Sequence, residues 1–245
     1  MILKQLIRRA IIGAKADSPS YVSFLRKKGV KVGERTTFFS PTTNTIDLTR
    51  PWLLKIGDDV QITNGVTILT HGYDWSVLKG VYGKVLGSSG KVVIGNNVFI
   101  GMQSTILKGV TIGDNVIIGA NSLVNVDIPS NCVAAGNPVR IISTLEAYKN
   151  KREKRQYDEA AELVREYRTE YGRDPGAREL HEFFWLFCND PEQLEEPWER
   201  VMKLVGNESM SNECLCRHKP MFDSMEDAVA VHGIPNRDDE KEDHD

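Results

Sequence analysis

The sequence predicts a mainly β fold: a solenoid of hexapeptide repeats, interrupted by one long excursion and followed by an α-helical extension. Three observations predict it. From Ile94 onward an aliphatic residue returns every six positions, at Ile94, Ile100, Ile106, Ile112, Ile118 and Val124. The next residue is Gly95, Gly101, Leu107, Gly113, Gly119 or Asn125, and Val98, Ser104, Val110, Val116 and Ser122 hold the fourth place. After Ile142 the period changes to that of a helix.

A period of six suits neither a helix, with its 3.6-residue repeat, nor a long half-buried strand, which alternates every two. It suits short strands joined by sharp turns, each strand sending one large aliphatic side chain inward. Glycine beside that side chain permits the φ values and the close backbone approach of a turn. Three such hexads close a triangular coil, and stacked coils pair strand on strand in parallel at ~4.8 Å. A sandwich with chance spacing is the alternative, and six consecutive matches weigh against it.

The elements follow in order. Residues 1–29 form an N-terminal segment expected to be a helical cap; within it, Met1–Ala14 is basic and amphipathic. That stretch could cap the first coil or touch an anionic membrane as a peripheral contact. Residues 30–142 carry the repeat, which also appears at Ile56-Gly57, Ile62 and Ile68, with Val60 and Val66 in the fourth place.

Two irregularities break the repeat. Between Val32 and Ile56, Asn44 and Arg50 occupy expected aliphatic slots, and Pro51-Trp52 follows. Between Ile68 and Ile94 the spacing loses its multiple of six, so a glycine-rich loop over 72–92 leaves the coil. Binding and chemistry collect at such excursions from a rigid scaffold.

Residues 143–235 read as a helical extension. Tyr157, Ala160, Ala161, Val164, Tyr167 and Tyr171 share one helix face, ended by Gly172 and Asp174-Pro175-Gly176. Further helices are expected through Leu180–Phe187, through Leu194–Val205 and around Phe222–Val229. The block Phe183-Phe184-Trp185-Leu186-Phe187 is apolar all round and must be buried, against the solenoid or a neighbouring subunit. Residues 236–245 form an acidic tail expected to be disordered.

Composition narrows the function classes. The 245 residues hold 31 Lys+Arg against 34 Asp+Glu, but residues 1–141 carry 16 basic and 8 acidic side chains, a net +8. The remainder stands at −11. A basic half invites nucleic acid or a smaller polyanion such as a nucleotide cofactor. Four Cys exclude a disulfide scaffold and point to a reducing compartment. No run approaches the ~20 apolar residues of a transmembrane helix, and the N-terminus lacks the apolar block of a signal peptide. A soluble, cytoplasmic protein is expected.

Ile94-Gly95-Asn96-Asn97-Val98-Phe99-Ile100-Gly101, Ile112-Gly113-Asp114-Asn115-Val116-Ile117-Ile118-Gly119-Ala120 and Val133-Ala134-Ala135-Gly136-Asn137-Pro138 resemble the hexapeptide-repeat acyltransferases. Within that family the likeness is to polysaccharide O-acetyltransferases and to galactoside and maltose acetyltransferases. The resemblance covers roughly residues 30–142. It implies a left-handed parallel β-helix, acetyl-CoA as acyl donor, and a homotrimer with active sites at subunit interfaces. It also implies one histidine, on the loop leaving the helix, as general base.

Thr70-His71-Gly72-Tyr73-Asp74 stands at that exit, and His71 is the only histidine in residues 1–180. The chemistry agrees: moving an acetyl group to a sugar hydroxyl requires removal of the hydroxyl proton, which a neutral imidazole can accept. The bland alternative is a surface histidine in a turn. Asp74 could fix the imidazole tautomer, bind a substrate hydroxyl, or be a solvated carboxylate. Tyr73, Trp75, Asn44 and Asp47 are candidates for the acceptor sugar, with a plain turn as the alternative for the last two.

By resemblance, the backbone at Met102 and Ala120 bonds the pantetheine arm, and backbone N–H groups near Met102 could stabilise the oxyanion. These two residues should lie one above the other in successive coils. Asn137, Pro138 and Arg140 belong to a terminus whose basic residue approaches the CoA phosphates; a capping turn is the alternative, and both can hold. Cys214-x-Cys216-x-His218 lacks a second ligand pair, so no metal is expected. Neither a phosphate loop nor a dinucleotide fingerprint is present, and no nucleic-acid partner is expected.

The leading expectation is therefore an acetyl-CoA-dependent O-acetyltransferase of surface-polysaccharide synthesis. An N-acyltransferase of an amino sugar nucleotide, a xenobiotic acetyltransferase, and a catalytically silent assembly scaffold are the alternatives.

Overall fold

A computed structural model of the chain describes residues 10–231. The first nine residues of the basic N-terminal stretch and the acidic segment 236–245 lie outside the described residues. The chain divides into two compact units at Lys149/Asn150.

The first unit is built from three parallel sheets visited in turn. The first face holds Lys31–Val32, Leu54–Ile56, Val92–Ile94 and Thr111–Ile112. The second holds Thr37–Phe38, Gln61–Ile62, Val98–Ile100, Val116–Ile118 and Cys132–Ala135, and Arg140–Thr144 pairs antiparallel on its last strand. The third holds Thr45–Ile46, Thr67–Ile68, Thr105–Ile106 and Leu123–Val124. Because each pass visits the three faces in the same order, successive strands of one face are parallel, as the six-residue period requires. Val98 pairs with Val116 and Ile100 with Ile118, the step of 18 residues seen also in the amide bond from Asn97 Nδ2 to Asn115 Oδ1.

The inward side chains form one column. Ile56, Ile62, Ile68, Ile94, Ile100, Ile106, Ile112, Ile118 and Val124 are buried, as are Val98, Ser104, Val110, Val116 and Ser122 in the fourth place. Each buried isoleucine stabilises the coil by ~1.5–3 kcal/mol of transfer free energy. The two serines satisfy their hydroxyls on Gly119 O.

The glycines that follow the aliphatic positions serve the close approach rather than the positive φ. A Cβ on Gly101 would stand 2.5 Å from the backbone nitrogen of Ala120 in the next coil. The left-handed residue comes two positions later, at Asn97, Gln103, Asn115 and Asn121. Asn tolerates that conformation better than most side chains, and Asn97, Asn115 and Asn131 join their amides in a ladder at one corner.

The first coil resolves the earlier irregularity. Ile46, not Asn44, fills the third-face aliphatic slot and pairs with Ile68. Two extra residues between Phe38 and Ile46 move the phase, and Asn44 falls in the small-residue place opposite Val66. Arg50 belongs to a second insertion, Asp47–Leu53, that ends in a 3-10 turn at Pro51–Leu53.

The cap over the first coil is the helix Ser18–Lys28. Asp17 caps it by accepting from Ser20 N at 2.9 Å, and Gly29 closes it in the left-handed conformation. Its buried Tyr21, Val22 and Leu25 join the same core, with Tyr21 edge-on to Phe38.

The excursion over 72–92 is more ordered than a glycine-rich loop. His71–Gly72 pairs antiparallel with Ser88–Ser89, and a helix, Trp75–Tyr82, stands between them. The hairpin base rests on the next coil, where Gly90 fits against the backbone of Gly109 with no room for a side chain.

The second unit begins within the helix Leu145–Tyr171, which starts twelve residues earlier than its apolar face and includes the expected Tyr157–Tyr171 stretch. Glu196–Met202, Glu208–Arg217 and Met225–Val231 are the remaining helices. The expected helix Leu180–Phe187 is instead a run of turns ending in a 3-10 turn at Phe184–Leu186. Its apolar residues do not repeat along one stripe, because the block is buried on several sides. Phe184 stacks on Trp198 at 5.7 Å, and Trp198 Nε1 donates to Ala177 O. The block thus packs within its own unit, with Val164, Leu180, Met202 and Leu215. The helix Glu208–Arg217 escaped the sequence reading because Leu215 is its one buried residue.

Candidate active site

His71 opens the hairpin that leaves the coil after Thr67–Ile68. Its imidazole is largely buried, with 13% of the side chain exposed. Nδ1 lies 2.5 Å from Asp47 Oδ2, while Nε2 is buried with no hydrogen-bond partner. One ring nitrogen is therefore fixed and the other is left available for a proton.

Asp47 is held as firmly as it holds. Its Oδ2 also accepts from Thr70 N at 2.9 Å and Thr70 Oγ1 at 2.6 Å, and Oδ1 accepts from Thr49 N. Burial disfavours the carboxylate, but the hydrogen bonds from Thr70, Thr49 and His71 outweigh it and keep the carboxyl well below the usual carboxylate range. Asp47 stays ionised at neutral pH. An ionised acceptor at Nδ1 places the ring proton there and leaves the Nε2 lone pair free, the tautomer a general base needs.

The pair corrects two assignments. Asp74 does not reach the imidazole: it is exposed and precedes the helix Trp75–Tyr82 without capping it. Asp47 is buried and carries the contact to the ring. The signal was present in the sequence. Once the phase is reset at Ile46, Asp47 follows its aliphatic residue just as Leu69 follows Ile68, so stacking puts it against Thr70 and His71.

Asn44 is also withdrawn from the acceptor set. It is buried, its Nδ2 donates to Thr63 O, and its main-chain carbonyl accepts from Lys15 Nζ. Tyr73 and Trp75 keep their place by the histidine. The Tyr73 ring stands edge-on to His71 at 5.0 Å and 5.9 Å from Trp75, with Tyr73 largely exposed.

The residues expected to bind the donor stand elsewhere. Met102 and Ala120 lie in successive turns between the second and third faces, and Asn121 N donates to Met102 O at 2.8 Å. The expected stacking is present, and both residues are exposed. Asn137 and Pro138 occupy the corresponding turn of the last coil, where Leu123 N donates to Gly136 O. Arg140 is exposed at the start of the antiparallel strand that closes the sheet. His71, by contrast, sits in the link from the third face to the first. One chain brings the imidazole and its aromatic neighbours together at one corner, and Met102, Ala120 and Asn137 at another.

Among the described residues no group of three or more His, Cys, Asp or Glu is placed to hold a metal ion. Cys214 and Cys216 are exposed, and His218 Nε2 bonds the carbonyl of Trp185. No helix among them is long and apolar enough to cross a membrane.

Comparison with known proteins agrees with this architecture. Residues 91–126 match the bacterial transferase hexapeptide (six repeats) model. Protein CapG of Staphylococcus aureus is 42% identical over 127 residues, which span 52% of this chain and 73% of CapG. Galactoside O-acetyltransferase of Escherichia coli is 35% identical over 156 residues, 64% of this chain and 71% of that enzyme. A solved galactoside acetyltransferase in complex with coenzyme A is 32% identical, covering 54% of this chain and 73% of its own, with a TM-score of 0.41.

Proposed function

The chain belongs to the hexapeptide-repeat acyltransferases, and from that premise we propose that it is an acetyl-CoA-dependent O-acetyltransferase acting on a sugar hydroxyl. Its place is the cytoplasmic synthesis of capsule, O-antigen or exopolysaccharide. The observation that carries this reading is the His71 imidazole, tied to Asp47 through Nδ1 and left without a partner at Nε2. Kinship with a galactoside O-acetyltransferase supports the acyl group and the class of acceptor.

His71 Nε2 takes the acceptor hydroxyl proton as the sugar oxygen bonds to the thioester carbonyl carbon. Asp47 stabilises the imidazolium formed in that step and does not itself take the proton. The tetrahedral intermediate then breaks its C–S bond. His71 returns the proton to the departing sulfur, leaving an acetyl ester and free CoA thiol. No covalent enzyme intermediate forms. Tyr73 and Trp75 present flat apolar faces beside the imidazole, suited to the face of a pyranose ring.

The separation of the two corners gives the assembly its purpose. In a homotrimer of left-handed coils, His71 of one protomer faces the turns of a neighbour that carry Met102, Ala120 and Asn137. Backbone groups at Met102 and Ala120 meet the amides of the pantetheine arm, an N–H near Met102 stabilises the oxyanion, and Arg140 with the Asn137-Pro138 turn approaches the CoA phosphates.

Thiol release from acetyl-CoA, measured over a panel of hydroxyl and amino sugars, tests the reading. It is supported if a hydroxyl sugar drives release and His71→Ala stops it. Unchanged turnover in His71→Ala, or a crystal complex with CoA in which the imidazole points away from the thioester, overturns it.

A further inference from the structure

The excursion carries a surface that neither the coil nor the acetyl transfer uses. The helix Trp75–Tyr82 buries none of its residues. Val77, Val81, Tyr82, Val85 and Leu86 are each more than half exposed, Val77 and Val81 at 67%. Val77 and Val81 stand one turn apart, as do Leu78 and Tyr82 beside them, so the four form one apolar stripe. Eight residues are too few for a helix to persist in water by itself, and an apolar patch of this kind marks an interaction site.

Charge identifies the partner. Lys79 and Lys84 flank the stripe and Lys91 follows, all exposed. No Asp or Glu occurs between Trp75 and Gly113. The same face of a second copy is a poor seat, because it carries the same three lysines and meets these with like charge. The partner must be apolar and anionic together. A bilayer with anionic headgroups is both: valine, leucine and aromatic side chains enter at the headgroup level, while the lysine ammonium groups remain among the phosphates.

We propose that residues 76–86 form a membrane-docking element for bilayers bearing anionic lipids. Its hairpin begins at His71, so docking sets the imidazole beside the membrane surface. Resting on the acetyl-transfer reading above, this makes the acceptor a saccharide carried on a membrane lipid rather than a free sugar.

Co-sedimentation of the full chain with vesicles tests the docking without reference to turnover. The protein sediments with equimolar phosphatidylcholine–phosphatidylglycerol vesicles and far less with phosphatidylcholine alone, and binding weakens as salt shortens the Debye length from ~10 Å at 0.1 M to ~3 Å at 1 M. Lys79→Gln with Lys84→Gln lowers the affinity roughly 30-fold, about 5-fold for each lysine. Val77→Asp with Val81→Asp abolishes sedimentation while oligomeric state and acetyl transfer to a soluble sugar stay as in the parent. Equal sedimentation of the valine variant and the parent overturns the proposal, as does absence of binding by the parent. A drop in oligomeric state in the valine variant overturns it too, by giving the face to a second copy. If vesicles bind and no sugar accepts an acetyl group, the docking stands and the lipid-borne acceptor falls.

Discussion

Asp47 and His71 meet at 2.5 Å across 24 residues of sequence, joined by an insertion in one coil and an excursion from the next. The contact exists because Ile46 and Ile68 are register partners. Each residue lies just past its own third-face strand, where the regular coil would turn. The two departures from the repeat supply both halves of the pair.

Removing the imidazole removes the proton acceptor and one of the hydrogen-bond partners of Asp47. His71→Ala is expected to lower kcat by about 10²–10⁴-fold, with KM for acetyl-CoA nearly unchanged. Circular dichroism and oligomeric state should match the parent, since His71 lies in a hairpin outside the aliphatic column.

Asp47 is expected to affect both turnover and stability. Asp47→Ala leaves the Thr49 and Thr70 N–H groups and the Thr70 hydroxyl without their acceptor, costing about 1–3 kcal/mol in urea unfolding. Asp47→Asn retains one acceptor oxygen and loses the charge that stabilises the imidazolium. It should lower kcat with a smaller stability loss. An Asp47→Asn enzyme with parental kcat would show that the carboxylate is structural only.

The lowered carboxyl of Asp47 sets an acid limit on stability. Its folded pKa lies below the ordinary value near 3.8, so the unfolded chain binds the proton more readily, and stability rises with pH through that interval. The contribution is fully present above the unfolded value and is lost as pH falls through the folded one. The difference in unfolding free energy between the parent and Asp47→Asn should therefore shrink as pH falls below about 4. A difference that grows as pH falls below about 4 would contradict the hydrogen-bonded carboxylate.

Much of this was legible in the sequence because the aliphatic column has a period that belongs to one architecture. Ile94 to Val124 name the faces, and the step of one coil places Met102 over Ala120. His71 was legible because no other histidine shares its unit. Asn44 falls in an aliphatic slot only when the spacing is counted from Val32: two extra residues before Ile46 shift the phase, and the same shift brings Asp47 level with Leu69, against Thr70 and His71. The glycines were half read. Their spacing was clear, but whether a turn needs a positive φ or a missing Cβ depends on the level above, which a linear pattern does not display. Phe183–Phe187 was legible as buried and illegible as to secondary structure, because apolar residues on every side carry no period.

A close backbone approach between coils gives the last expectation. A Cβ at position 101 would lie 2.5 Å from Ala120 N, 2.7 Å from Gly119 C and 2.8 Å from Ile118 O, all rigid main-chain atoms of the next coil. None can swing aside as a side-chain end would. Gly80 in the exposed helix has nothing within 4 Å of the same added atom. Gly101→Ala should therefore destabilise the first unit by at least about 2 kcal/mol, lowering the thermal midpoint. It should also disturb the Met102–Ala120 turns, raising KM for the acyl donor in whatever fraction remains folded. Gly80→Ala should be neutral or slightly stabilising, since alanine is the better helix former by about 1 kcal/mol. Equal thermal midpoints for the two variants would mean that the coils are spaced more loosely than these distances require.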